Sequence, residues 1–118
     1  MKYMLLIYGA ETELNQDERE ACFQESSDLA HKINATGNYL AASPLQSVTT
    51  ATSVRVRDGK RLLTDGPFAE TREQLGGYFL IDAKDMNEAV EIAGQIPGAR
   101  WGTVEVRPLV ELENLPSE

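Results

Sequence analysis

The order of strand-like and helix-like segments constrains the fold of this chain more than any other feature. The first segment, Lys2 to Tyr8, is a nearly continuous apolar run, which is typical of a central strand covered on both faces. A helical pattern and a second strand-like run follow it, and the same strand–helix–strand order returns near the end of the chain. Between the two units the sequence predicts a β-hairpin. The chain therefore has the element order of an α+β protein.

The helix of the first unit is predicted from about Gln16 to Ala35. Asn15 offers an N-cap, and Glu18 stands three residues later, which is the spacing of a capping box. Gly37 provides a C-terminal stop for this helix. The strand that follows is predicted from Tyr39 to Leu45.

One polar residue interrupts the side of this helix that should face the sheet. The apolar arc at the helical period consists of Cys22, Leu29, Ala30 and Ile33, with Phe23 at its margin. Ser26 lies near the centre of the arc, whereas His31 lies roughly opposite and should face water. The Ser26 hydroxyl either bonds to the carbonyl group four residues back or meets a polar group above it. The pattern leaves both interpretations open.

The hairpin and a long charged loop occupy the middle of the chain. Ala51 to Arg57 and Lys60 to Thr64 are predicted strands, and Asp58-Gly59 between them is a strong two-residue turn signal. The loop then extends to Gly77. It contains Gly66-Pro67, which cannot continue a regular element, and Gly76-Gly77, which we expect to act as a hinge before the strand Tyr78 to Asp82.

The second strand–helix–strand unit completes the predicted fold. Asp85 and Glu88 again have capping-box spacing, and the helix that they begin is expected to reach about Ile96 with Gly94 inside it. The last strand is predicted from Thr103 to Leu109. The two units and the inserted hairpin predict the split β-α-β arrangement of a ferredoxin-like domain.

Length and charge limit the classes of function. With 118 residues the chain is expected to form one domain over residues 1–110, followed by an acidic tail over residues 111–118. A net charge of −8 argues against binding to nucleic acid or to an anionic membrane. No signal peptide or spanning segment is visible, and the single cysteine fits a reducing cytoplasm, where we expect the protein to be located.

The sequence offers little support for metal or nucleotide chemistry. One cysteine and one histidine are too few for a zinc site, and no glycine-rich phosphate loop opens a helix. We therefore expect no metal and no cofactor. The remaining candidates for binding a ligand are Arg55 and Arg107, which could hold an anion, together with Glu70 and Arg72 in the loop. For each of these charges the alternative is an ordinary salt bridge or solvation.

Residues 65–78 form a specific motif. They read Asp-Gly-Pro-Phe-Ala-Glu-Thr-Arg-Glu-Gln-Leu-Gly-Gly-Tyr. This stretch resembles the signature of the DGPF-domain family, a branch of the YciI-like (YCII-related) proteins. The similarity continues through Met1 to Tyr8, Ala51 to Gly59 and Gly102 to Pro108. The resemblance implies a ferredoxin-like domain that forms a homodimer by pairing into a dimeric α+β barrel.

The resemblance also bears on catalysis. YciI-like proteins typically carry a histidine in the first helix that approaches the aspartate of an Asp-Pro-aromatic motif. The corresponding positions here are Ser26 and the segment Asp65 to Phe68, in which Gly66 intervenes. The His–Asp pair is therefore incomplete, and whether the chain is an enzyme stays open.

Asp65, Ser26 and Phe68 are predicted to form the site. Asp65 is expected to act as an acid or base facing a cleft that Ser26 floors and Phe68 closes, with Arg55 or Arg107 binding the negative end of a ligand. The opposing interpretation is that Asp65 caps backbone amides of the turn.

The leading functional hypothesis is a small cytoplasmic domain that binds a small, anionic or aromatic molecule. The resemblance adds lyase-type acid/base activity as an option. One alternative is a non-enzymatic regulatory or interaction module associated with sigma-factor signalling. The other is a cofactor-free monooxygenase of the dimeric α+β barrel kind.

Overall fold

A four-stranded antiparallel sheet forms the centre of the structure. The computed structural model describes residues 1–116. The strands are β1 (Lys2–Gly9), β2 (Tyr39–Pro44), β3 (Thr52–Arg57), β4 (Lys60–Asp65), β5 (Gln74–Asp82) and β6 (Thr103–Pro108). The helices are α1 (Gln16–Ala35), α2 (Met86–Ala93) and α3 (Gly98–Trp101), and a short 3₁₀ turn spans Val48–Thr50.

The strand order of the central sheet is β2-β5-β1-β6. Strand β1 lies in the interior of the sheet, with Leu5 opposite Phe79 on one side and opposite Val106 on the other. Every neighbouring pair is antiparallel. The apolar run at the N-terminus is thus a central strand, as predicted. The α+β class is confirmed, and the strand order is compatible with a ferredoxin-like arrangement.

The predicted hairpin is confirmed, and it forms a separate two-stranded sheet. Strands β3 and β4 pair with each other, with Val54 opposite Leu63. The turn residues Asp58 and Gly59 have φ angles of 51° and 73°. These positive values are what a two-residue type I′ turn requires. The chain then turns at Gly66, whose φ of 103° is accessible mainly to glycine.

Helix α1 has the predicted bounds because both predicted end signals operate. The Asn15 side chain accepts a hydrogen bond from the Glu18 amide at 2.9 Å, and the Glu18 carboxylate accepts one from the Asn15 amide at 3.0 Å. At the other end Gly37 adopts a φ of 81°. That left-handed conformation terminates helices and suits glycine, which has no Cβ.

The second helical segment differs from its prediction. Helix α2 ends at Ala93, so Gly94 caps the helix and does not lie inside it. Glycine is a poor helix former, and Pro97 disfavours helical backbone in the residue before it, so the helix stops early. The chain then forms the separate helix α3, which the sequence pattern did not predict. Ile96 is nevertheless buried as expected, with 1% exposure.

The predicted hinge at Gly76-Gly77 is wrong. Strand β5 begins at Gln74, so both glycines lie within the strand: Gly77 pairs with Ile7 and Pro44, and Gly76 lies at a β-bulge, where its carbonyl accepts from the Leu45 amide. A methyl group on Gly77 would lie 3.0 Å from the Ser43 carbonyl oxygen of β2. Glycine at this position therefore permits a close approach of two strands, and the cross-strand hydrogen bonds hold its backbone in place.

Helices cover one face of the central sheet. The core on that face contains Tyr3, Leu5, Phe79 and Ile81 from the strands, Leu29 and Ile33 from α1, and Ala89 and Ile92 from α2. Strand alternation directs Leu6, Tyr8 and Leu80 to the opposite face, where each is partly exposed. Among the helices of residues 1–116, none is long and apolar enough to cross a membrane.

The predicted acidic tail has no helix or strand over residues 109–116. Its apolar side chains at Val110, Leu112 and Leu115 are exposed. Positions 117 and 118 of the predicted tail lie outside the described residues.

Candidate ligand-binding cavity

A cavity of about 470 Å³ lies between the first half of α1 and the end of the sheet that it covers. We call it the α1 cavity. Its roof is the helix, its floor is formed by β1, β2 and β5, and one wall is the segment that contains α3. Apolar side chains predominate in the lining, among them Ile7, Phe23, Ala42, Phe79, Ile96 and Trp101.

The roof is open because of the residues that α1 presents to the sheet. One stripe of the helix carries Arg19, Cys22, Ser26, Leu29 and Ile33, at alternating spacings of three and four residues. Leu29 and Ile33 are buried against the sheet, with 6% and 3% exposure. Cys22 and Ser26 are shorter and line the cavity. The stretch of α1 up to Ser26, called its first half here, therefore leaves space, whereas the stretch from Leu29 onward, called its second half, fills it.

Glycines keep side-chain volume out of the floor and the wall. Gly77 lies on β5 beneath the helix and carries no side chain that could fill the space. Gly98 begins α3, and a Cβ there would come within 2.5 Å of the Ile7 Cγ2 atom. Glycine at that position lets the wall segment pack directly on β1.

Ser26 places a hydroxyl group at the roof of the cavity. The side chain is partly buried. Among the hydrogen bonds of residues 1–116, none involves the Ser26 hydroxyl, so the predicted alternative of a bond to the carbonyl four residues back is not observed. The hydroxyl is therefore available to a molecule in the cavity.

A bidentate ion pair connects helix α3 to helix α1. Arg100 Nη1 and Nη2 donate to the two carboxylate oxygens of Glu25 at 2.8 and 2.9 Å. This hydrogen bonding, together with charge attraction, lowers the pKa of Glu25 and raises the pKa of Arg100. The pair ties the wall to the roof at the first half of the helix. Both side chains are exposed, so solvent weakens the attraction.

The mouth of the cavity carries charge. Glu11 lies on the loop after β1, and its carboxylate accepts hydrogen bonds from the Ser47 hydroxyl at 2.7 Å and from the Val48 amide at 2.8 Å. Arg19 lies beside it on the first turn of α1 and donates through Nη2 to the Glu11 carbonyl oxygen at 3.0 Å. The loop, the helix and the 3₁₀ turn are thereby connected around the opening.

The structure does not bring Asp65 to Ser26 within one chain. Asp65 ends β4, is exposed, and does not line the α1 cavity. Phe68 is 74% exposed, and its ring centroid lies 4.8 Å from the guanidinium carbon of Arg55. The predicted cleft shared by all three residues is absent from the single chain because the hairpin forms its own sheet away from α1. The catalytic roles of Asp65 and Ser26 remain predictions.

The interpretation of Asp65 as a turn cap also lacks a contact. Among the hydrogen bonds of the described residues, the Asp65 carboxylate takes no part. The turn is closed instead by the Gly66 amide, which donates to the Ala51 carbonyl at 2.7 Å, and by the Ser53 hydroxyl, which donates to the Gly66 carbonyl at 2.8 Å.

The other predicted ligand-binding residues are dispersed. Arg107 lies on β6, where its Nε is 3.8 Å from a carboxylate oxygen of Glu105. Glu70 and Arg72 are exposed in the loop between β4 and β5. None of these three lines the α1 cavity. Their roles in ligand binding also remain predictions.

Sequence reasoning missed the cavity residues Arg19, Glu11 and Trp101. The signal for Arg19 was available, since it continues the stripe of Cys22 and Ser26 by one turn. Glu11 and Trp101 belong to segments whose approach to α1 no local pattern encodes. Within residues 1–116, no three His, Cys, Asp or Glu side chains cluster closely enough to hold a metal ion.

Comparison with known proteins assigns the chain to a family. It is 34% identical over 114 residues to an uncharacterized protein of Rhizobium meliloti (strain 1021), and the match covers 92% of each chain. Residues 1–113 match the YCII-related domain. The resemblance seen in the sequence motif is therefore confirmed, and the chain belongs to the YCII-related domain family.

Proposed function

We propose that the protein binds a small, largely apolar molecule in the α1 cavity. The observation that carries the proposal is the cavity itself. Its volume of about 470 Å³ lies within the roughly 300–1,000 Å³ that is usual for ligand pockets. Its lining is mostly apolar with a few polar groups, which is the composition that such pockets generally have.

The arrangement of α1 supports this proposal. Apolar side chains at the positions of Cys22 and Ser26 would pack on the sheet and stabilise the fold, as Leu29 and Ile33 do. The Ser26 hydroxyl takes part in no hydrogen bond among residues 1–116 and lines the mostly apolar cavity, so a ligand with a polar atom could bond to it. A site that sacrifices packing in this way is expected where binding is the function.

Trp101 makes the proposal directly measurable. It is the one tryptophan of the chain and it lines the cavity, so its fluorescence should respond to an occupant. We expect 3-phenylpropan-1-ol, a neutral apolar probe, to change this fluorescence in a saturable way and to raise the melting temperature.

The deciding variant is Ser26→Leu, which fills the roof. It should abolish the response to 3-phenylpropan-1-ol and stabilise the protein by about 1 kcal/mol, as cavity-filling substitutions commonly do. His31→Leu is the matched control, because it adds the same side chain to an exposed position of the same helix. Equal binding by wild type and Ser26→Leu would place the probe outside the cavity and contradict the proposal.

We also propose that two copies pair through the sheet face opposite to the helices. The apolar side chains Leu6 and Leu80 on that face support it, because helices occupy the other face only. The hairpin supports it too, since Val54 and Leu63 are 59% and 61% exposed and an isolated hairpin is marginally stable. The radius of gyration is 16.0 Å, against about 13.5 Å for a compact chain of this length.

Light scattering after size exclusion tests the pairing. We expect twice the chain mass of 13.0 kDa at micromolar concentration. Leu63→Glu should lower the mass to that of one chain, whereas Thr64→Glu on the other face of β4 should not. A wild-type protein with the mass of one chain would contradict the pairing.

Acid/base activity of the lyase type is a further option for the protein, with Asp65, which does not line the α1 cavity of the single chain, as the predicted acid or base. The sigma-factor module and the monooxygenase remain alternative hypotheses. The role of Asp65 is tested with the Asp65→Asn variant, which removes the charge and preserves the shape of the side chain. If it binds every ligand as well as wild type and turns over no candidate substrate differently, Asp65 has no functional role.

A further inference from the structure

Arg19 is the cation at the mouth of the α1 cavity. It lies on the first turns of α1, is partly buried, and lines both the cavity and a shallower depression beside it. The depression is bordered by Phe23 and Leu45, which also line the cavity. The guanidinium group therefore stands where the apolar interior meets solvent.

Arg19 has no carboxylate partner within residues 1–116. The ion pairs of this part of the chain join Met1 to Asp82, Arg100 to Glu25, and Arg107 to Glu105. Most other basic side chains in this part of the chain also lack a carboxylate partner, but they are exposed, whereas Arg19 is partly buried and lines the cavity.

The carboxylate of Glu11, whose backbone carbonyl accepts a hydrogen bond from Arg19, is itself engaged by other groups. Both carboxylate oxygens of Glu11 already accept hydrogen bonds, one from Ser47 and one from Val48. Arg19 bonds to the backbone carbonyl of Glu11 through Nη2, which uses one of its five N–H groups. Glu13 is the other acidic side chain along the cavity and is exposed to solvent. The remaining donors of Arg19 are therefore available at the opening.

We propose that the ligand of the α1 cavity carries a carboxylate, which Arg19 binds while the apolar body lies beneath α1. A guanidinium group matches a carboxylate with two parallel hydrogen bonds, and these charge-assisted bonds are stronger than neutral ones. One arginine beside two acidic residues suits a single negative charge better than a phosphate ester, which usually needs several cations or backbone amides. The inference rests on the proposed function, since it assigns the ligand class of the same cavity.

The test compares 3-phenylpropanoate with 3-phenylpropanamide, which have the same shape and differ in charge. Binding is followed by Trp101 fluorescence and by calorimetry. We expect wild type to bind the acid about tenfold more tightly than the amide, as one charge-assisted contact implies. The preference should weaken as salt is added, because the contact lies at a solvent-exposed mouth.

Arg19→Gln should remove the preference, because it weakens binding of the acid much more than binding of the amide. Arg19→Lys keeps the positive charge but loses the paired N–H groups of the guanidinium, so it should retain a smaller preference for the acid over the amide. Arg57→Gln removes an equal charge from an exposed position on the other face of the hairpin from Val54 and Leu63, does not line the cavity, and is the matched control. Thermal unfolding of each variant verifies that it is folded.

The outcomes separate this inference from the proposed function. If wild type binds the amide as tightly as the acid, the cavity binds ligands but Arg19 does not select a carboxylate. If Arg19→Gln keeps the full preference, another group supplies the positive charge and the inference is wrong. If wild type binds neither these compounds nor 3-phenylpropan-1-ol, both the inference and the proposed function fail.

Discussion

The two halves of α1 lie over the same sheet and present the same stripe, yet one half is packed and the other is open. In the second half, Leu29 and Ile33 are buried against the strands. In the first half, Cys22 and Ser26 face a cavity of about 470 Å³. The helix itself is continuous, so the difference arises from side-chain length and not from the backbone. The packed core and the cavity in which we propose that a ligand binds therefore belong to different turns of one helix.

The largest expected effect comes from truncating the packed half. Leu29→Ala should lower the free energy of unfolding by about 2–5 kcal/mol, because it removes a buried side chain and leaves a void. Ser26→Ala in the open half should change it by less than about 0.5 kcal/mol, since its hydroxyl has no protein partner among the described residues. Urea denaturation measures both. Equal losses of stability in the two variants would mean that the two halves of α1 do not differ in packing.

The floor of the open half gives a second contrast. Gly77→Ala should destabilise the protein by about 1–3 kcal/mol, because the added methyl group meets the Ser43 carbonyl at 3.0 Å on a paired strand. Gly76→Ala is the matched control: its nearest contact would be the Ile7 carbonyl at 3.9 Å, so it should be neutral or slightly stabilising. If both variants lost the same stability, the close approach of β2 and β5 would not explain why glycine occupies position 77.

Low pH should weaken the ion pair between Glu25 of α1 and Arg100 of α3. The hydrogen bond to Arg100 lowers the pKa of Glu25 in the folded protein. A lowered pKa contributes stability above the ordinary glutamate value of about 4.3, and this contribution is lost as the pH falls through the folded value. The stability difference between wild type and Glu25→Gln should accordingly be larger at pH 7 than at pH 3.

The contribution of this ion pair to the free energy of unfolding is expected to be small because both side chains are exposed. Chemical denaturation at the two pH values measures it, and Gln24→Glu offers a neighbouring charge change for comparison. A difference that grows as the pH falls would have the wrong sign for this ion pair.

The smallest effect is expected on the side of α1 that faces away from the sheet. His31 is exposed, as its position opposite the apolar arc predicted. His31→Ala should change the free energy of unfolding by no more than about 0.5 kcal/mol. It should also leave the response of Trp101 to 3-phenylpropan-1-ol unaltered. A large loss of stability would indicate that this side of α1 is covered in the assembled protein.

The sequence alone determined the elements whose causes are local. The bounds of α1 follow from Asn15, Glu18 and Gly37, which act within a few residues of the helix ends. The hairpin follows from Asp58-Gly59, because a type I′ turn depends on the φ angles of two adjacent residues. The motif at residues 65–78 likewise indicated the family without any structure. In each case the contacts that decide the outcome lie close together along the chain.

The tertiary structure decided what depends on contacts between distant segments. Gly76-Gly77 has the composition of a hinge, but pairing with β1 and β2 makes it part of a strand. The α1 cavity lies where Ser26, Gly77 and Gly98 come together from three separate elements: Ser26 and Gly77 leave volume unfilled, and Gly98 lets α3 pack against β1. Arg19 has no carboxylate partner within residues 1–116, and the Glu11 carboxylate accepts hydrogen bonds from Ser47 and Val48 instead. Local propensity encodes neither the packing of short side chains across elements nor the competition for one carboxylate, so these features emerge only in the folded chain.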